Sequence, residues 1–157
     1  MYKKSIQFPI GTIVIVEDRG KIIKIDKEEH NICNDIEEKD TEILLKAEKQ
    51  LNEYFQGKRF QFDLPLNPVG TDFMKNVWKV LKEIPYGETR TYKEIAEMVG
   101  NYKASRAVGM ANNKNPIPII IPCHRVIGSN NKLVGYALGL EMKQYLLELE
   151  RKYKERK

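Results

Sequence analysis

The spacing of hydrophobic and polar residues indicates strands at the beginning of the chain. Residues 12–16 and 21–25 are rich in β-branched side chains, and the polar residues 17–20 between them end in a glycine. β-Branched runs joined by a short glycine-containing turn are typical of a β-hairpin. We therefore predict a hairpin over residues 12–25, and we expect a further strand at residues 5–8.

Helical spacing follows an acidic stretch of the first half. A helix is predicted from an N-cap at Asp40 or Thr41 to a stop at Gly57. Residues 60–62 alternate again, as a short strand does. The expected apolar side of the helix comprises Leu44, Leu45, Leu51, Tyr54 and Phe55.

Two prolines and a glycine mark a boundary in the middle of the chain. They fall within residues 64–70, a combination that favours neither a helix nor the interior of a sheet. The total length of 157 residues suits one ordinary domain or two small ones. We predict an N-terminal α/β domain at residues 1–64, a linker at 65–71 and a second domain at 72–157.

The second half is dominated by helical patterns. Thr71 is a candidate N-cap for a helix that ends at residues 85–87, and Thr91 with Glu94 fits a capping box that opens another helix. That helix stops at Gly100 and is followed by one over residues 104–114, so we predict a helix-turn-helix. The expected apolar face of the first of these helices comprises Phe73, Val77, Val80, Leu81 and Ile84.

One side of the predicted helix 104–114 consists of small residues. Small side chains let a helix approach another backbone closely. That backbone belongs either to DNA or to a neighbouring helix. The second alternative stays open because short helix pairs with a glycine turn also occur in proteins that never touch DNA. The small residues are Ala104, Ser105, Ala107, Gly109 and Ala111.

Three prolines shape the segment before the second cysteine. Residues 116–122 cannot form a helix, and we expect an extended, buried lead into Cys123. A polar loop is predicted at residues 128–135. From Leu140 onward the spacing predicts an amphipathic closing helix with Leu146 and Leu149 on its inner side, together with Tyr145.

Charge is distributed unevenly between the two halves. The net charge of +5 divides into −2 for residues 1–71 (11 Lys/Arg, 13 Asp/Glu) and +7 for residues 72–157 (16 Lys/Arg, 9 Asp/Glu). The second half is therefore the candidate for nucleic-acid binding. The chain has no apolar run of about 20 residues and no apolar signal-peptide core at its start. These features predict a cytoplasmic protein with no membrane association.

The two cysteines, Cys33 and Cys123, are expected to stay reduced in such a protein. His30 and Cys33 have a loose metal-ligand spacing, but the sequence has no second Cys/His pair apart from the Cys123–His124 motif. A structural metal site is therefore not expected. Cys123 is a candidate nucleophile, which must lose its proton to attack. Neighbouring side chains of an extended chain point in opposite directions, so His124 needs a bridging water or a backbone turn to act as the base. Glu150 either holds the imidazole or is simply an exposed carboxylate near a helix end.

Several motifs together resemble the O6-alkylguanine-DNA alkyltransferase family. Pro-Cys-His-Arg-Val at residues 122–126 is the most specific of them. The others are Tyr92 after Gly87-Glu88, Arg106-Ala107-Val108-Gly109, Asn115-Pro116, Gly135-Tyr136, and Leu146-Leu147 ahead of Glu150. The resemblance covers about residues 73–150. It implies an α/β fold with a ribonuclease H-like N-terminal sheet-plus-helix domain and a mostly helical C-terminal helix-turn-helix domain.

The resemblance also implies a reaction. An alkyl group, such as methyl, would pass from O6 of guanine, and also from O4 of thymine, in double-stranded DNA to Cys123 after base flipping. The transfer would be irreversible and would need no cofactor, and the protein is expected to act as a monomer. His124 through a water and Glu150 would supply the base. Asn115 would order the loop, and Tyr92 would donate a hydrogen bond to the departing guanine.

The same resemblance assigns the DNA contacts. Arg106 would enter the duplex in place of the flipped base, with Ala104, Ser105, Ala107 and Gly109 on the docking side of its helix. Arg125 is expected to bind backbone carbonyls. The wall of the base pocket would be formed by Val134, Gly135, Tyr136 and Ala137.

Two other functions remain alternatives. A non-catalytic lesion-recognition protein or a helix-turn-helix regulator would share the DNA-binding features, but relatives of that kind lack the reactive cysteine. A Cys-His hydrolase would need oxyanion-hole glycines ahead of Cys123 and a separate histidine at a useful distance, and the sequence offers neither.

Overall fold

The computed structural model describes residues 1–31, 33–129, 133, 135–136 and 138–156. The chain divides into two compact units, Met1–Val69 and Gly70–Lys157. The division falls within the proline- and glycine-containing stretch 64–70. Across the described residues no helix has the length and apolar character that a bilayer crossing requires.

The first unit is built on a four-stranded sheet. Its strands are β1 (Tyr2–Phe8), β2 (Gly11–Asp18), β3 (Lys21–Lys27) and β4 (Glu37–Glu38), in the order β3-β2-β1-β4. The first three pair antiparallel, and β4 runs parallel to β1. The predicted hairpin and the preceding strand are thus confirmed. Arg19 and Gly20, both with positive φ, form the tight turn between β2 and β3.

One helix, α1 (Glu42–Phe55), accompanies this sheet, and its predicted cap is confirmed. The Thr41 hydroxyl accepts a hydrogen bond from the backbone N–H of Leu44. The predicted apolar side is wrong at Leu45, which is 45% exposed, whereas Leu44 is fully buried. A position next to the buried stripe on a helix still faces solvent.

The strand predicted at residues 60–62 is also wrong. This segment is irregular, and side chains bind backbone groups within it and directly after it. Gln50 accepts from Asp63 N at 2.8 Å and donates to Asp63 O at 3.0 Å, and Arg59 donates to Gln61 O at 2.9 Å. Phe62 packs against the Tyr54 ring at a centroid distance of 5.4 Å.

The second unit is mostly helical. It contains α2 (Asp72–Leu81), α3 (Tyr92–Met98), α4 (Ser105–Asn113) and α5 (Leu140–Tyr153), with a short parallel pair, β5 (Arg90–Thr91) and β6 (Val126–Ile127). The predicted capping box of Thr91 and Glu94 is present at the start of α3. The predicted second helix and closing helix are confirmed as α4 and α5.

Helix α2 differs from its prediction on its apolar face. Thr71 caps it as expected, but Phe73 is 36% exposed and Ile84 lies beyond its end. The buried side chain of Trp78 instead joins α2 to α4, because its indole N–H donates to the carbonyl oxygen of Ala111 at 2.9 Å. Ala111 therefore serves helix packing.

The segment before Cys123 is buried as predicted but is not extended. Ile119 has φ of 76°, and Ile121 N donates to Ile117 O at 3.0 Å, which closes a tight turn. The prolines prevent a helix, but they are compatible with a turn that reverses the chain. A 3₁₀ turn, Cys123–Arg125, follows directly and leads into β6.

Candidate active site

Asn115 holds the loop that carries the cysteine. Its side-chain oxygen accepts from Ile117 N at 3.0 Å, and its amide nitrogen donates to Ile121 O at 2.8 Å. One buried side chain therefore fastens both ends of the turn ahead of Cys123. This is the geometry that an ordering role for Asn115 requires.

Cys123 opens the 3₁₀ turn and is fully buried. Burial raises the pKa of its thiol to about 11, although a hydrogen bond from Asn115 and the positive charge of Lys143 act in the opposite direction. At neutral pH the sulfur therefore keeps its proton until a base removes it. The turn replaces the extended chain that the sequence predicted around residues 123 and 124.

His124 and Glu150 form a buried pair. The imidazole Nε2 lies 2.6 Å from Glu150 Oε2, and both side chains are almost wholly inaccessible to solvent. The alternative of an exposed Glu150 is thus wrong. Burial lowers the pKa of His124 although Glu150 acts to raise it. A carboxylate can only accept, so Nε2 carries the hydrogen and Nδ1 is free to take a proton.

Arg125 binds the same carboxylate. Its Nε donates to Glu150 Oε1 at 2.8 Å, and its Nη2 donates to Oε2 at 3.0 Å. Its Nη1 donates to the Ile84 carbonyl at 2.8 Å, and Gly87 N donates to Glu150 Oε1 at 3.1 Å. Burial alone would raise the pKa of Glu150, but His124 and Arg125 hold it well below its usual range. Arg125 therefore binds a carbonyl, as expected, and also a carboxylate.

Lys143 is a site residue that the sequence prediction missed. This fully buried side chain donates from Nζ to the Val126 carbonyl at 2.6 Å and to the Gly135 carbonyl at 3.4 Å. Burial lowers its pKa to about 8, and the nearby Cys123 acts to raise it. A signal was present in the sequence, because residues 143 and 150 share a helical stripe with the buried Leu146.

Tyr92, Asn112 and Tyr136 complete the surroundings of Cys123. Burial raises the pKa of Tyr92, as does the neighbouring Cys123, while a hydrogen bond from Asn112 lowers it. Asn112 Nδ2 also donates to the Cys123 carbonyl at 3.4 Å. The Tyr136 ring lies edge-on to His124 at 6.4 Å. Asn112 too was missed, because a lone asparagine in a helix has no distinctive spacing.

The residues predicted to contact DNA lie along the first turns of α4. Arg106 and Ala107 are exposed there, whereas Ala104, Ser105 and Gly109 are partly buried. A Cβ at residue 109 would lie 3.8 Å from the Tyr92 ring, an ordinary van der Waals contact, so this part of the small face lies beside Tyr92.

Of the predicted pocket wall, Gly135 and Tyr136 lie among the described residues, whereas Val134 and Ala137 lie outside them. Gly135 has φ of 49°, and a Cβ there would come within 2.6 Å of the Asn113 side chain. The close approach and the left-handed backbone both favour glycine at this position.

A buried thiol that directly precedes a buried imidazole–carboxylate pair is an arrangement found in proteins with a nucleophilic cysteine. Residues 1–68 match the family model for the ribonuclease-like domain of 6-O-methylguanine DNA methyltransferase. Residues 72–152 match the model for the DNA-binding domain of the same protein. The chain belongs to the 6-O-methylguanine DNA methyltransferase family.

Individual relatives agree over nearly the whole length. A methylated-DNA--protein-cysteine methyltransferase of Methanosarcina acetivorans is 52% identical, with 96% of this chain and 98% of that protein covered. The constitutive enzyme of that name from Bacillus subtilis is 44% identical, with 99% of each covered. The structure of Mycobacterium tuberculosis OGT in complex with DNA is 43% identical, with a TM-score of 0.91 over 98% of this chain and 94% of that one.

Proposed function

We propose that this protein repairs DNA by moving an alkyl group, such as methyl, from O6 of guanine to the sulfur of Cys123. The observation that carries the proposal is the burial of Cys123, directly before the His124 of the buried His124–Glu150 pair and near Tyr92. In the reaction a C–S bond forms and the C–O6 bond breaks, and the electron pair stays with the guanine. The thiol proton passes first to the imidazole of His124 and finally to the departing guanine.

His124 acts as the proton acceptor. Its Nδ1 is buried and accepts no hydrogen bond from the described residues, while Nε2 is bound to Glu150. Glu150 orients the ring and stabilises the imidazolium that forms, as the acidic member of a catalytic triad does. A water between Nδ1 and the sulfur relays the proton, and Tyr92 donates a hydrogen bond to the leaving guanine.

The product is a thioether, which has no easy leaving group. The protein therefore reacts once per chain, as a monomer, and needs no cofactor because its own side chain accepts the group. O4 of thymine presents the same alkyl–oxygen bond, and we expect it to be a second, slower substrate.

Helices α3 and α4 act as a helix-turn-helix that binds double-stranded DNA. The support is the charge of +7 over residues 72–157 and the exposure of Arg106 and Ala107 on α4. The DNA complex of the Mycobacterium tuberculosis relative agrees with this partner. The target base must leave the stack to reach a buried sulfur, and Arg106 fills the space that it vacates.

The test is stoichiometric transfer. The purified chain is incubated with a duplex containing one O6-methylguanine, and the intact protein is weighed. We expect a gain of one methyl group per chain, none with an unmethylated duplex and none with Cys123→Ser. An unchanged mass with retained duplex binding would instead support the lesion-recognition alternative. Binding should weaken with salt, as phosphate contacts require.

A further inference from the structure

Three polar atoms near Cys123 stand out because they are buried and form no hydrogen bond with the described residues. They are Asn112 Oδ1, His124 Nδ1 and the Tyr136 hydroxyl. The proton-accepting role proposed above already accounts for Nδ1, and a phenol hydroxyl can either donate or accept. Asn112 Oδ1 can only accept, and no donor among the described residues binds it, so it is available to a donor that enters the site.

The orientation of the Asn112 amide follows from its neighbours. The Cys123 carbonyl can only accept, so the atom facing it at 3.4 Å must be the amide nitrogen. The Tyr92 phenol also lies beside this amide, since Asn112 lowers the pKa of Tyr92. The nitrogen is therefore bound to the Cys123 carbonyl, whereas the oxygen has no partner among the described residues.

The unused oxygen lies beside the reaction centre. Within one amide group the oxygen and nitrogen are separated by about 2.2 Å, as the bond lengths around the carbonyl carbon dictate. Asn112 Oδ1 is thus adjacent to the groups that contact Nδ2, namely the backbone of Cys123 and the Tyr92 phenol. A base held between these two residues places one edge against it.

The chemistry of the alkylated base leaves one group that can donate a hydrogen bond to Asn112 Oδ1. In an O6-alkylguanine, N1 carries no hydrogen, N3 and N7 are acceptors, and N9 is bonded to the sugar. The exocyclic 2-amino group is the only N–H donor of that base. An O4-alkylthymine has no N–H donor, because its N3 has also lost its hydrogen.

We propose that Asn112 is a specificity-determining residue whose Oδ1 accepts a hydrogen bond from the 2-amino group of the flipped purine. This inference rests on the proposed function and adds the reason for a preference for guanine. A buried acceptor left unpaired is costly, so a base without the amino group binds and reacts less well.

The experiment compares single-turnover transfer from two duplexes that differ in the 2-amino group alone, one with O6-methylguanine and one with O6-methylhypoxanthine. The wild-type chain should react roughly tenfold to a hundredfold faster with the guanine lesion, the effect of leaving one buried acceptor unpaired. Asn112→Leu removes the acceptor at similar size and should abolish this ratio. Asn112→Asp keeps an acceptor oxygen and should retain it.

Each result has one meaning. Equal wild-type rates on the two duplexes, or an undiminished ratio in a folded Asn112→Leu, would overturn the inference and leave the proposed function standing. Loss of reaction with both duplexes in Asn112→Leu at an unchanged ratio would assign Asn112 to positioning Tyr92 alone. A wild-type chain that transfers methyl from neither duplex would overturn the proposed function itself. O4-methylthymine should react slowly with the wild type and no more slowly with Asn112→Leu.

Discussion

The two units of the chain bury polar side chains for different purposes. In the first unit Glu17 accepts from the nearby Gly20 N, and Gln50 binds the backbone of Asp63, so each fastens a local stretch of chain. The buried polar side chains of the second unit instead lie on, or bind, residues 121–126 around Cys123. They are Asn112, Asn115, His124, Arg125, Lys143 and Glu150. Burial of charge on that scale is costly, and its concentration at one place is a mark of chemistry.

The two cysteines show the same contrast. Cys33 is buried in an apolar cluster with Val14 and Val16, and burial raises its pKa. Cys123 is more deeply buried, and lysine charges oppose the rise in pKa at both thiols, but at Cys123 a hydrogen bond from the buried Asn115 amide opposes it as well. Depth alone therefore does not distinguish a reactive thiol from a structural one, whereas its neighbours do.

Removing Glu150 should have the largest effect. Glu150→Ala leaves Arg125 buried without its partner, and we expect a loss of about 3–5 kcal/mol in the free energy of unfolding. Gln50→Ala in the first unit removes neutral hydrogen bonds and should cost about 1 kcal/mol. Denaturant titration of both variants measures the two losses. Equal losses would mean that the Glu150–Arg125 ion pair stabilises the fold no more than the neutral hydrogen bonds of Gln50.

The contribution of Glu150 should also depend on pH. Its pKa lies well below the ordinary 4.5, so the folded state favours the carboxylate. The stabilisation that comes from the ionised Glu150 carboxylate is fully present above pH 4.5 and is lost as the pH falls below that value. The difference in unfolding free energy between wild type and Glu150→Gln should shrink between pH 6 and pH 3, a range set by those carboxyl pKa values. A constant difference would contradict the ionised pair.

Lys143→Met should slow methyl transfer by at least about tenfold. The substitution removes the Nζ that donates to the carbonyls of Val126 and Gly135, and it removes the positive charge near the Cys123 sulfur. Lys143→Arg keeps a charge and should retain more activity. The pH profile of Cys123 alkylation by iodoacetamide separates the two contributions, since loss of the charge moves the profile to higher pH. A slower transfer with an unmoved profile would leave Lys143 a purely structural role.

Arg106→Ala should have a smaller and more selective effect. The side chain is exposed on α4 and away from the buried polar cluster, so stability should hardly change. Transfer from duplex DNA should fall more than reaction with free O6-methylguanine, which needs no flipping. Rate measurements on both substrates test this, and equal losses would count against insertion into the duplex.

Local signals in the sequence predicted the fold well where short-range chemistry decides it. The hairpin, the caps at Thr41 and Thr71, and the Thr91–Glu94 capping box all depend on neighbours within a few residues. The turn at residues 117–121 was missed, because the proline pattern excludes a helix without choosing between an extended chain and a reversal.

The site was predicted in part. The pairing of His124 with Glu150 followed from a resemblance, whereas the sharing of that carboxylate with Arg125 depends on how α5 packs, which no local pattern encodes. Asn112 was missed for the same reason, and Lys143 was missed although its helical spacing from Leu146 was a signal. A lysine or asparagine in an amphipathic helix is usually solvated, so the residue type spoke against burial at both positions.

The most direct test of the account is a peptide map of the chain after reaction with a duplex containing O6-methylguanine. It distinguishes the two buried cysteines, one in each unit. We expect a single methyl group on the peptide that contains Cys123 and an unmodified Cys33 peptide. Methyl on Cys33, or on neither cysteine after the lesion has been repaired, would rule out Cys123 as the acceptor.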